Sequence, residues 1–86
     1  MYFIRCGEDG PIKIGLVKDG NISRRLSALQ GGNHRPLVVI AYTHGTRATE
    51  LALHRQFAAV RVVNEWFDAT PELLALCDRL GHGGSL

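Results

Sequence analysis

Two cysteines and no apolar run longer than six residues are the first limits that this chain sets on itself. A helix that crosses a bilayer needs roughly 20 apolar residues. The longest run here, "LVVIAY" at 37–42, has the length of a strand. The N-terminus shows no signal-peptide pattern. Cys6 and Cys77 have no metal-ligand spacing, and two thiols without an export signal are expected to stay reduced. A cytoplasmic protein with no membrane partner is the expectation. A large excess of one charge is also missing, since ten Lys and Arg against eight Asp and Glu leave a net charge of +2. An apolar fraction of 45% with 21% charged residues excludes a disordered chain. Eighty-six residues make one domain, assigned here to 1–81, with 82–86 as a flexible tail.

The small total charge hides an uneven distribution. Residues 1–64 hold nine Lys and Arg against four acids, for +5, whereas 65–86 hold Arg79 against Glu65, Asp68, Glu72 and Asp78, for −3. A basic body with an acidic end suits a phosphate-bearing partner on one face. Scattered solvated charges are the plainer reading.

Turn signals divide the chain. Gly7, Gly10 and Pro11, then Asp19, Gly20 and Asn21, then Gly31, Gly32 and Asn33, then Gly45 mark breaks. Between them the patterns predict strands over 1–6 and 12–17, a helix over 21–31, a strand over 36–44 and a helix over 46–60. An irregular stretch containing "NEWF" follows, then a helix over 71–80. Thr70 before Pro71 reads as an N-cap with proline at the first helical position, and Gly81 stops that helix.

In the first helix, Ile22, Leu26 and Leu29 recur at helical spacing and define a buried stripe. At 100° per residue, Arg25 falls about 60° from Ile22, on the stripe's edge, and Arg24 falls on the solvent side. In the next helix, Leu51, Leu53, Phe57, Ala58 and Val60 mark a broad apolar face, with Glu50 and His54 near its middle, one turn apart. A carboxylate and an imidazole there need partners or a task, because burying an unpaired charge is costly. Helix capping by Thr46 is a weak alternative, since the reciprocal position is Thr49 and not an acid. A Glu50–His54 pair across one turn is another, worth a few tenths of a kcal/mol. A structural role for His54 stays open beside a role in a site.

These pieces in this order resemble the GIY-YIG nuclease superfamily, and within it the chain is similar to the T5orf172/Mug113-like branch. The resemblance rests on "YFI" at the start, "KIG" at 13–15, "RRL" in the first helix, "ELALHRQF" in the second and "NEWF" after it. With the element order above, it implies an α+β domain whose three-stranded, mainly antiparallel sheet is flanked by three helices, in the order β-β-α-β-α-α. It also implies site residues. Tyr2 matches the tyrosine of the first family motif, although Met1 stands where glycine and isoleucine are usual. Lys13 takes the place of the second motif's tyrosine, with Gly15 as its glycine. Arg25 matches the arginine of the first helix, Leu29 stands where several relatives carry histidine, and Glu50 matches the metal-binding glutamate. Asn64 stands near the family's late asparagine, and His54, Glu65 and Trp66 look like signatures of the branch.

The implied activity is metal-dependent hydrolysis of DNA phosphodiesters, a phage-like or mobile-element type of endonuclease. Glu50 would hold one Mg²⁺ or Mn²⁺, Arg25 would offer its planar fork to the phosphate, and Tyr2 would take a proton from water. A tyrosine is a weak base at its reference pKa of about 10. Lys13 nearby would favour the phenolate, provided both side chains share one face of the first hairpin. Pairing Cys6 opposite Lys13 satisfies that condition and is the expected register, whereas pairing Arg5 there inverts the faces. His54 completes the catalytic set, Asn64 and Glu65 are candidates for support behind it, and Arg35, Arg47 and Arg55 for phosphate contacts. Trp66 and Phe67 read as core under the last helix. A small domain offers little area for sequence readout, so a homodimer or a DNA-binding partner subunit is expected. Two other readings compete: a degenerate module that binds nucleic acid without cutting it, and a small interaction module.

Overall fold

The computed structural model describes residues 1–17 and 21–81, and the tail assigned to 82–86 lies outside the described residues. β1 (Tyr2–Cys6) and β2 (Ile12–Gly15) form the first hairpin. After α1 (Ile22–Gln30), β3 (Leu37–Tyr42) returns to the sheet, and α2 (Arg47–Gln56) leads through a 3₁₀ turn (Ala58–Val60) into β4 (Arg61–Val63) and β5 (Trp66–Phe67). α3 (Pro71–Gly81) completes the described chain. The sheet is five-stranded, with the order β3-β1-β2-β5-β4, and every pairing is antiparallel.

The α+β class holds, and the expected three-stranded sheet with order β-β-α-β-α-α does not. Two strands come from the stretch around "NEWF". Asn64 takes a left-handed φ of 51°, a conformation asparagine tolerates, and it turns the chain so that Val63 faces Trp66. β5 then pairs with β2, Ile12 opposite Phe67 and Lys13 opposite Trp66. The second helix is also shorter than expected. It ends at Gln56, where Phe57 caps it, and Leu51 is 40% exposed instead of facing the core.

Alternation along the strands sorts side chains onto two faces. One face carries Phe3, Ile12, Ile14 and Phe67, which pack with Leu53 and Phe57 after them, and with Leu73, Leu76 and Leu80 of α3. Phe3, Ile12, Ile14, Phe67 and Leu73 have no exposed surface, each worth about 1.5–3 kcal/mol of burial. The other face carries Tyr2, Ile4, Cys6 and Leu37 under Ile22, Leu26 and Leu29 of α1, with Trp66 beside them. Phe67 is therefore core under α3, whereas Trp66 faces the opposite side. Both cysteines are free and buried, and burial pushes the Cys77 thiol up to about 11.

The first hairpin is closed by Cys6 N–H donating to the Pro11 carbonyl at 3.0 Å, around a four-residue "GEDG" loop. Lys13 consequently stands opposite Ile4 and not opposite Cys6. The two-residue shift preserves parity, so Tyr2 and Lys13 share a face.

Thr46 caps α2 with a reciprocal hydroxyl arrangement. The Thr49 N–H donates to Thr46 Oγ1 at 3.3 Å, and the Thr46 N–H donates to Thr49 Oγ1 at 3.3 Å. A threonine hydroxyl thus fills the place for which an acid was expected, and the capping judged weak from the sequence is present. Replacing Thr46 with alanine should lower stability by about 1 kcal/mol. Thr49→Val, which removes the returning bond and the contact between the two hydroxyls but keeps the Thr49 N–H on Thr46, should cost less, and urea unfolding of both variants checks the order.

Candidate functional site

The site starts from a missing side chain. Gly15 lies directly opposite Tyr2 in the β1–β2 ladder, and the tyrosine ring covers it. A Cβ on Gly15 would stand 2.5 Å from the Tyr2 oxygen and 2.6 Å from the ring carbon that bears it. The glycine is therefore what lets the phenol lie flat along the end of the hairpin. Tyr2 has no exposed surface and forms the floor of a cleft of about 760 Å³.

Arg25 reaches this floor from the edge of α1, where its Nε donates to Tyr2 Oη at 3.3 Å. That hydrogen bond, then charge attraction to the same oxygen, holds the guanidinium above its usual range against the smaller effect of burial. With Nε engaged, the two terminal nitrogens keep donors for another acceptor.

Glu50, 2% exposed, comes from the first turn of α2. Arg47, three residues earlier and so on the same side of the helix, donates through Nη1 to Oε1 at 2.8 Å. The arginine side chain itself is 73% exposed. Tyr2, Arg25, Glu50, Arg47 and Glu65 all line the cleft. Asn21, Arg24, Leu16, Val17 and Ala28 complete its walls.

Lys13 is buried on the same face as Tyr2, but its charge goes elsewhere. Its Nζ donates to Glu65 Oε2 at 2.7 Å and lies 5.9 Å from the centre of the Trp66 ring. The Glu65 carbonyl accepts from the Ile14 N–H at 3.0 Å, so backbone and side chain together fix this residue at the cleft wall. Lys13 does not bond Tyr2; the cation beside the phenol is Arg25. Lys13 acts on the cleft through Glu65.

His54 does not line the cleft. Its Nε2–H donates to the Ile14 carbonyl at 3.0 Å, and its ring sits 5.2 Å from that of Phe67. It ties α2 to β2, one turn from Glu50. Asn64 is exposed, and the turn accounts for it. Arg35 is bonded to Asp9 on the first hairpin's loop, holding that carboxyl below its usual range. Arg55 is exposed on the outer side of α2, and neither of these arginines borders the cleft.

Arg24 and Asn21 were missed as cleft residues. The helical wheel places Arg24 toward solvent, correctly as to exposure, but a wheel does not show that the open flank of α1 borders a cavity. A clue was available in position, since both residues stand at the start of the helix that delivers Arg25.

Replacing Gly15 with alanine forces Tyr2 or the strand to move. Overpacking of this kind should lower stability by about 1–3 kcal/mol. Urea unfolding measures the loss, and a Gly15→Ala protein as stable as the native one would show that the ring is not held there.

The T5orf172 domain family matches residues 1–79, nearly the whole described chain. No curated protein and no solved structure matches it. The chain belongs to the T5orf172 domain family, which is associated with endonuclease-related proteins.

Proposed function

We propose that the chain is a GIY-YIG-type endonuclease that hydrolyses DNA phosphodiester bonds in the cleft between α1 and the start of α2. The observation that carries this reading is convergence: the Tyr2–Arg25 pair and the buried Glu50 come from three separate elements and line one cavity. Arginine at the rim, a phenol on the floor and a buried carboxylate are groups that can serve phosphodiester hydrolysis.

Among the described residues no group of three or more His, Cys, Asp or Glu could hold a metal ion. An ion here would rest on Glu50, with water and substrate oxygens completing its shell, a sparse coordination that Mg²⁺ tolerates. Once bound, Mg²⁺ or Mn²⁺ would supply positive charge beside the phosphate. The remaining work falls to the chain's own side chains. Arg25 turns its terminal nitrogens to the non-bridging oxygens, where a planar fork binds better than a point charge. Tyr2, once its own proton has passed to solvent, accepts through Oη the proton of the attacking water. The water oxygen bonds to phosphorus as the bond to the leaving oxygen breaks. Glu65, held by Lys13, fixes the opposite wall, and His54 holds α2 so that Glu50 keeps its place.

The area around the cleft is small, so sequence-selective cutting would draw on a second copy or a DNA-binding partner subunit. Supercoiled plasmid incubated with the protein and Mg²⁺ or Mn²⁺ should be nicked, and chelator should stop it. Arg25→Ala should slow nicking by about 10²–10³-fold, and Glu50→Ala should abolish it. Salt-sensitive DNA binding with no nicking by the native protein would support a binding module instead.

A further inference from the structure

The ion pair on α2 is asymmetric in a way that has a use. Glu50 is 2% exposed and Arg47 is 73% exposed, yet the two meet at 2.8 Å. A buried carboxylate without a counter-charge is costly, so Glu50 needs a cation beside it. Among the described residues, Arg47 is its hydrogen-bonding partner, through Oε1 alone. No fully buried side-chain oxygen among those residues lacks a partner, so Oε2 keeps an opening to the cleft. An arginine that lies mostly in water loses little by letting go, because the solvent rehydrates it and an exposed guanidinium regains its rotamers.

We propose that Arg47 is a resident counter-ion of Glu50 that a divalent cation displaces, and that the released guanidinium then binds a phosphate of the nucleic acid at the rim of the cleft. The proposal rests on the reading of Glu50 as the cation's ligand. It explains why a residue in the cleft wall carries a charge opposite to the one beside it. The carboxylate keeps a direct counter-charge throughout, Arg47 before the cation arrives and the cation afterwards, while the Met1 ammonium attracts it in both states. Releasing Arg47 only when a cation is present also ties substrate affinity to metal, and by linkage the nucleic acid should tighten the cation to the same degree. Arg25, whose Nε is held by Tyr2, stands elsewhere in the same cleft and need not take part.

The test measures Mn²⁺ binding by calorimetry, without substrate, for the native chain, Arg47→Ala and Glu50→Gln. Removing a competing counter-ion should tighten Mn²⁺ by roughly three- to tenfold in Arg47→Ala, while Glu50→Gln should lose binding. Thermal unfolding gives a second readout. In chelator Arg47→Ala should melt below the native protein, and Mn²⁺ should raise its melting temperature by more than it raises the native one. In fluorescence anisotropy with a labelled oligonucleotide, the gain in affinity on adding Mn²⁺ should be smaller for Arg47→Ala than for the native chain. If Arg47→Ala binds Mn²⁺ no better than the native protein while Glu50→Gln loses it, the exchange is overturned and the metal reading stands. If Glu50→Gln binds Mn²⁺ as well as the native chain, both fall. An oligonucleotide gain equal in native and Arg47→Ala proteins overturns the transfer to phosphate.

Discussion

The phenol ring of Tyr2 lying over Gly15 is the contact on which the candidate site depends. Two residues paired across an antiparallel hairpin put their side chains on the same face, and here one of the two has none. The ring occupies the space thus left, 2.5 Å from where a Cβ would stand, and its oxygen is turned to the edge of α1 where Arg25 waits. With any larger residue at 15 the ring would lift, the hydrogen bond to Arg25 would lengthen, and the cleft would lose its floor.

The rest of the fold supplies what this contact needs. A sheet with helices on both sides keeps its two functions apart. The face under α2 and α3 is mainly apolar, with Phe3, Ile14, Phe67 and Leu73 at its centre. The face under α1 is thinner, and α1 itself has no fully buried residue, so one flank of it stays open beside the cleft. The two acids of the site enter as pairs, Glu65 with Lys13 and Glu50 with Arg47. Each places one buried group against one that reaches solvent, which limits the cost of burying charge while keeping a polar wall.

Much of this could be read from the residues, and what could not has identifiable causes. Glu50 stood out because helical spacing places it among apolar residues, and it is buried. Arg25 stood out at the edge of the Ile22–Leu26–Leu29 stripe, and that is where it meets Tyr2. The residues alone did not decide between the register that puts Tyr2 and Lys13 on one face and the one that separates them. The chosen register, wrong by two residues, still keeps the shared face because parity is preserved. The β4–β5 hairpin was invisible because strands of three and two residues are too short to show a period, and its turn has asparagine followed by glutamate where glycine would have signalled it. The partner of Lys13 was hidden for the same reason, since Glu65 lies 52 residues away and arrives only through that hairpin. The Arg47–Glu50 pair has the spacing of helical neighbours, yet Arg47 read only as a candidate phosphate contact, because burial of its partner is a tertiary fact.

A crystal structure of the protein with Ca²⁺ and a short DNA duplex carrying a non-hydrolysable phosphorothiolate-type linkage tests the central claim most directly. The account predicts a backbone phosphate inside the cleft, contacted by Arg25, with the cation on the Glu50 carboxylate and Tyr2 Oη facing the phosphorus. DNA bound across another face, with Arg25 still on Tyr2 and the cleft holding no phosphate, would contradict it.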